Sequence, residues 1–356
     1  MSQKHEKQLR QTLIQVTAGE TLSRKAMTSL VDCLMSCNLE ASPLNILSSA
    51  LLCSLKTRGE TVNEIVGAAS SLRQHQVDVP LSEQHQILLD TCGTGGDGAH
   101  LLNISTITGL VVASLGVKVA KHGNRSVSSS CGSADLLEHM GYPLLKDKDS
   151  VSNCVSTSGF GFFFAPHFHP ALKNLSGLRR SLGVRTLFNM LGPLVNPAGA
   201  THQLIGVFDK SIVSPIAQAA SSLGVKRCLV VHGEGGLDEL SPSGTTWASL
   251  AEEGKLQEFE WTPSAFGAKA VPLEALAGGN PQENSEKCEA LFRGELKDVA
   301  SAVAMNCAAC LWLVGDTVSL KKGYAKSYEA IQNGSVGRFF QSAKDTALTN
   351  SSSLID

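Results

Sequence analysis

The chain has 356 residues, 42% of them hydrophobic, which is enough for a sizeable core and more than most single small domains hold. Its 30 basic and 32 acidic side chains leave a formal net charge of -2, which excludes the broad basic surface that nucleic acid or a membrane would require. Ten cysteines lie scattered, and Met1-Ser2-Gln3-Lys4-His5 lacks a signal peptide's apolar core, so a reducing, cytoplasmic setting is expected.

From Thr21 to about Glu40, Leu22, Ala26, Leu30 and Leu34 recur at four-residue intervals, the stripe of an amphipathic helix. A second helix follows Pro43 through Ile46, Leu47, Ala50, Leu51 and Leu55 and stops near Gly59; Thr61-Val62-Asn63-Glu64 opens a third as a capping box. No strand pattern precedes Ile87. Residues 1–80 therefore form a helical unit whose apolar stripes need a partner surface, either the larger domain or a second subunit. Cys33/Cys37 and Cys307/Cys310 have ligand-like spacing, but each pair lacks a second ligand pair in its own stretch. They are read as small buried hydrophobes.

Ile87-Leu88-Leu89 is expected to be a buried strand emptying into Cys92-Gly93-Thr94-Gly95-Gly96-Asp97-Gly98, with a helix beginning near Asn103-Ile104-Ser105-Thr106. A glycine-rich loop at a helix N-terminus wraps phosphate oxygens with amide donors and the positive end of the helix dipole. A second unit repeats the logic. Val117-Lys118-Val119-Ala120 alternates like a strand, and the loop Lys121 to Ser133 carries Lys121, Arg125 and five serines before the helical Ala134-Asp135-Leu136-Leu137-Glu138. Two such loops point to a ligand with more than one phosphate. The spacing fits neither a P-loop nor a Rossmann fingerprint.

After Tyr142-Pro143 a further helix ends at Gly159, and Phe160-Gly161-Phe162-Phe163-Phe164 runs as a buried strand into a loop holding His167 and His169. With no third ligand nearby, these histidines suit a pocket wall better than a metal. A helix between Pro170 and Gly183 ends in Arg179-Arg180, where cations complement the dipole. Gln203–Val207 and Arg227–Val231 are strand-like with a helix through 215–223 between them, so the chain is of α/β class: a small helical domain plus a larger one with a mostly parallel sheet flanked by helices. Sites in such sheets lie beyond the strands' carboxyl ends, where Asp238 and Glu239 also fall; adjacent carboxylates on a glycine-rich loop can hold a hydrated Mg²⁺. The stretch from Val299 to Val314 is interrupted by Asn306 and falls short of a membrane span. Trp261 to Pro272 is expected to be irregular, Tyr324 to Ile331 helical, and the tail after Thr349 disordered.

Gly93-Thr94-Gly95-Gly96-Asp97-Gly98, Asn103-Ile104-Ser105-Thr106, Lys121-His122-Gly123-Asn124-Arg125 and Gly132-Ser133-Ala134-Asp135 resemble the signature of the anthranilate phosphoribosyltransferases. The likeness continues through Phe164-Ala165-Pro166, His169-Pro170, Arg179-Arg180, Arg185-Thr186, Leu191-Gly192-Pro193-Leu194, Asn196-Pro197 and Leu237-Asp238-Glu239. The resemblance implies a nucleoside phosphorylase/phosphoribosyltransferase-like fold, with 1–80 joined by about 172–196 as the helical domain and 81–171 with 197–356 as the α/β domain. It further implies a homodimer through the helical domains.

By that resemblance, phosphoribosyl pyrophosphate is bound by Gly93, Gly96, Asp97, Asn103, Ile104, Ser105, Thr106, Lys121, His122, Gly123, Asn124, Arg125, Ser126, Val127, Ser128, Ser129 and Ser133. Anthranilate is bound by Gly93, Asn124, His169 and Arg179, and Mg²⁺ by Ser105, Asp238 and Glu239. No residue is assigned as a dedicated acid or base. The chain departs from many relatives at Leu101 and Leu102, where a hydroxyl and an aromatic residue are common. Two alternatives carry less weight: a pyrimidine nucleoside phosphorylase-like enzyme, and a non-catalytic nucleic-acid-binding relative.

Overall fold

The computed structural model describes the chain except for residues 1, 38, 40–42, 80, 82–84, 96–100, 127–129 and 353–356. Four helices come first: α1 (Ser2–Thr17), α2 (Arg24–Ser36), α3 (Leu44–Arg58) and α4 (Val62–Gln74). Ser23 caps α2 by accepting from the Ala26 N–H, and Thr61 with Glu64 forms the expected capping box on α4. Then follow β1 (Leu89–Asp90), α5 (Ile104–Ser114), β2 (Val119–Gly123), α6 (Ser133–His139), α7 (Lys148–Ser158), β3 (Phe160–Phe164) and the short α8 (Ala165–Phe168). The chain continues through α9 (Lys173–Leu182), α10 (Leu187–Leu191), β4 (His202–Gly206), α11 (Val213–Ser222) and β5 (Arg227–Gly233). It ends with β6 (Thr246–Glu252), β7 (Lys255–Trp261), α12 (Pro281–Phe292), α13 (Lys297–Leu313), α14 (Leu320–Gln332) and α15 (Ser335–Ser352).

One seven-stranded sheet runs β3-β2-β1-β4-β5-β6-β7, parallel from β3 to β5 and antiparallel through β6 and β7. Strand alternation divides the core in two. Leu204, Leu229 and Val231 face a core built with α5, α7 and α13, whereas Ile205, Cys228 and Val230 face α11 and the N-terminal helices. Leu175, Leu178, Leu187, Phe188 and Leu191 join that second core. No single helix among the described residues is long and apolar enough to cross a membrane, and α13 is buried almost all round.

Several expectations need correction. The first strand starts at Leu89, because the Leu88 N–H is taken by the Thr201 hydroxyl and Ile87 stays exposed. Lys121, His122 and Gly123 belong to β2, paired with Phe162, Phe163 and Phe164, and not to the loop. The β6–β7 hairpin, which no sequence expectation covers, ends at Trp261, where the stretch expected to be irregular begins; Glu253 and Gly254, both at positive φ (50° and 76°), make its tight turn. Helix α15 carries the tail to Ser352, held where the Asn153 Nδ2 donates to Asn350 Oδ1 at 2.8 Å.

Glu64 is fully buried, and burial pushes its carboxyl up. N–H donors from Thr61 and Leu22, both at 2.8 Å, and the Arg58 guanidinium at 2.5 Å outweigh that and hold it below the ordinary value of 4.5. Glu64→Gln is expected to cost about 3 kcal/mol in urea unfolding at neutral pH. The wild-type advantage should be whole above pH 4.5 and disappear as pH falls through the depressed folded value.

Candidate active site

The site is built on a buried carboxylate. Asp90, at the end of β1, has no exposed surface; it accepts from the His122 N–H at 3.1 Å and from Asn196 Nδ2 at 2.8 Å. Burial pushes its carboxyl up, while the neighbouring Lys121 ammonium and these donors pull it back towards the charged form. Lys121 is only 2% exposed, and its Nζ donates to the Thr91 carbonyl at 2.6 Å. It supports the loops from beneath.

The loop after β1 then climbs to the sheet edge. The Thr94 N–H donates to the Gly206 carbonyl at 2.9 Å, and the Gly95 N–H to Asp238 Oδ2 at 2.8 Å. Gly206 is obligatory: a Cβ there would lie 1.5 Å from the Asp238 carbonyl oxygen. Leu240 donates its N–H to Asn306 Oδ1 at 3.3 Å, so the polar residue that interrupts α13 tethers the acidic loop. Glu239 Oε1 accepts the Ser105 N–H at 3.1 Å, in the first turn of α5. Asp238, Glu239 and Ser105 thus meet around a cavity of about 10 Å³ that Thr91, Cys92 and Asn306 also line, room for roughly one water or ion. Three hard oxygen donors suit Mg²⁺.

Within α5 the residues separate. Ser105 is half-buried and borders the cavity, whereas Ile104 and Thr106 are buried and the Thr106 hydroxyl has no hydrogen-bond partner among the described residues. Asn103 clamps: its Nδ2 donates to the Cys131 carbonyl at 3.0 Å and its Oδ1 accepts from Asn284 at 3.1 Å. Leu101 bridges to Ala277, and Leu102 is buried in the large core, so the positions where relatives carry polar or aromatic groups serve packing here.

The second loop is organised by Asp135. Its Oδ2 accepts from the Ser126 N–H at 3.0 Å and the Gly132 N–H at 2.9 Å, and these donors outweigh burial and hold its carboxyl low. Arg125 turns away towards α6, pairing with Asp135 at 2.9 Å and Glu138 at 2.8 Å, so its charge is already matched. The Asn124 N–H donates to the Ser133 hydroxyl at 3.1 Å, and a Cβ on Gly123 would come within 2.3 Å of that oxygen. Asn124 Oδ1 accepts the Arg125 N–H at 2.7 Å and keeps a second lone pair. Gly96, Asp97, Val127, Ser128 and Ser129 lie outside the described residues.

His122 and His169 form a buried pair with ring centroids 5.1 Å apart. His122 Nδ1 lies 3.1 Å from the Gly192 carbonyl; burial drives the His122 pKa well down and that of His169 to about 4, so both imidazoles are neutral at pH 7. Among the described residues neither Nε2 has a partner, a pattern that points to an exogenous ligand. Arg179 is half-buried in α9 with its guanidinium 5.8 Å from the Phe188 ring, while Arg180 is exposed. No hydrogen bond or ion pair joins Arg179 to the glycine loops among the described residues. Sequence reasoning missed the supporting roles of Asp90, Asn196 and Asp135. The latter two stand in quoted motifs, and Asp90 directly follows the apolar run.

A helical bundle joined to a mostly parallel sheet, with amide loops and paired acids at the strands' carboxyl ends, defines a glycosyl transferase. The model of the glycosyl transferase family a/b domain matches residues 85–336, and that of its helical bundle domain matches 10–76. Similar proteins include the anthranilate phosphoribosyltransferase of Myxococcus xanthus, 44% identical over 92% of this chain and 95% of its own length. The Thermus thermophilus enzyme of that name superposes with a TM-score of 0.86 at 40% identity, covering 94% of this chain and 99% of its own. The Saccharomyces cerevisiae enzyme, solved with PRPP and Mg, gives 0.85 at 27%, covering 96% and 98%; it has also been solved with 4-fluoroanthranilate. The chain belongs to the anthranilate phosphoribosyltransferase family.

Lys121→Met would leave Asp90 buried without its cation and is expected to cost about 3 kcal/mol of stability in denaturant titration.

Proposed function

We propose that the chain transfers the phosphoribosyl group of 5-phosphoribosyl 1-pyrophosphate to the amine of anthranilate, giving N-(5-phosphoribosyl)anthranilate and pyrophosphate for tryptophan biosynthesis. The observation that carries this reading is the convergence of Asp238, Glu239 and Ser105 on the amide loop after β1, in a chain of this family. The amine nitrogen forms its bond to the ribosyl carbon as the bond to pyrophosphate breaks. The electron pair leaves with pyrophosphate, and the amine proton passes to solvent.

Ser105, Asp238 and Glu239 would hold Mg²⁺, which when bound supplies charge to the leaving pyrophosphate. The amides of the loops after β1 and β2 orient the phosphates, and helix α5 directs its N-terminus at them. We assign Arg179 to the anthranilate carboxylate and Asn124 Oδ1 to its amine; the neutral His122 and His169 offer acceptors in the pocket wall. An aromatic amine is nucleophilic when neutral, so approximation and leaving-group stabilisation suffice without a dedicated base.

We also assign residues 1–80 with 172–196 to the helical domain, and 81–171 with 197–356 to the α/β domain; the leucines of α9 and α10 in the helical core support this. A homodimer through the helical domain fits the exposed Ile14 and Ile46, at 64% and 63%.

The test is loss of anthranilate fluorescence on adding phosphoribosyl pyrophosphate with and without Mg²⁺. Arg179→Ala is expected to raise the KM for anthranilate about 100-fold, on the order of 3 kcal/mol for a charge-assisted contact, with the KM for phosphoribosyl pyrophosphate little changed. Asp238→Asn should raise the Mg²⁺ needed for half-maximal rate by about tenfold or more. Fluorescence loss that ignores both variants would contradict the assignments.

A further inference from the structure

We propose that His5, Cys33 and Cys37 form a second metal site, selective for Zn²⁺, that fastens α1 to α2 far along the chain from the reaction loops. The site stands independently of the proposed reaction.

Two thiols four residues apart lie on one helical face, Cys33 near the end of α2 and Cys37 at its C-cap. They are 4% and 3% exposed, and their sulfurs are 3.7 Å apart. Two thiolates on a tetrahedral Zn²⁺, each with a bond of about 2.3 Å, stand roughly 3.8 Å apart, so no rearrangement is needed to bridge them. His5 on α1 supplies the third donor, and all three ligand atoms lie within 4.8 Å of one another. The donor set is two sulfurs and an imidazole, which favours zinc over the hard Mg²⁺ of the reaction loops. His5 is only half-buried, leaving a route for the ion and a fourth position for water.

Left empty, the pair is chemically quiet: burial first, then the adjacent Cys37, push the Cys33 thiol up to about 12, so both sulfurs stay protonated at neutral pH. Binding displaces the two thiol protons to solvent and leaves Zn²⁺ balanced by two thiolates and a neutral imidazole. Viewed in sequence, the cysteine pair looks orphaned because its third ligand sits on the preceding helix. Only the packing of α1 on α2 brings it in.

The experiment uses the full chain, stripped with a chelator and titrated with ZnCl₂ against a chromophoric indicator, and in parallel with Co²⁺. One Zn²⁺ per chain, a thiolate-to-cobalt charge-transfer band in the near ultraviolet, and a rise in thermal midpoint on zinc addition are expected. His5→Gln, on a half-exposed helical position that should leave the fold intact, is expected to weaken zinc binding about tenfold or more. Cys33→Ser should abolish the cobalt band, while Cys53→Ser should leave both signals unchanged. Absence of stoichiometric zinc uptake, absence of the cobalt band in the wild-type chain, or uptake unaffected by His5→Gln would each overturn the proposal.

Discussion

The sheet edge is organised around the Asp90 carboxyl, which is wholly buried and which burial pushes up. An ion in that position costs several kcal/mol unless it is matched by charge and hydrogen bonds. The match comes from two separate parts of the chain: the Lys121 ammonium and His122 N–H of β2, and the Asn196 amide, which also donates to the Ala120 carbonyl at 2.8 Å. Asn196 follows the α9–α10 segment that packs with the N-terminal helices. One buried carboxylate therefore pins β1, β2 and the chain returning from the helical core to a common point. Both reaction loops start a few residues from it.

Upon that base the site divides its chemistry by charge. The acids Asp238 and Glu239 gather at the amide loop and the start of α5, where the helix dipole and the Gly95 and Ser105 N–H donors favour anions. On the β2–β3 side the groups are neutral: two imidazoles whose Nε2 atoms have no partner among the described residues, beside a strand of buried phenylalanines. The cations sit behind, Lys121 beneath the loops and Arg125 locked onto α6. On the proposed reading, phosphate binding would rely on backbone donors and a metal more than on lysine and arginine at the surface. A net charge of -2 is compatible with a polyphosphate ligand on those terms.

Much of this was legible in the residues themselves. The capping box at Thr61, the stripes of α2 and α3, and the apolar run of α13 are local features whose energetics are settled within a few turns. The motifs around Gly93, Gly123 and Asp238 marked the loops to which the reaction is assigned because they need unobstructed backbone. What escaped was decided by tertiary contact. Lys121 looks like a loop cation until β3 pairs with it, and β7 hides because its charges, Lys255, Glu258 and Glu260, lie on an edge strand facing water. Asn350 seems a residue of a loose tail until Asn153 meets it. The His5–Cys33–Cys37 cluster is likewise a product of packing.

The most direct measurement is mass spectrometry of a reaction containing the full chain, anthranilate, phosphoribosyl pyrophosphate and Mg²⁺, with pyrophosphate counted in parallel. The account predicts N-(5-phosphoribosyl)anthranilate formed in equal amount to pyrophosphate. Absence of that product, or phosphorolysis of a pyrimidine nucleoside by the same preparation, would contradict it.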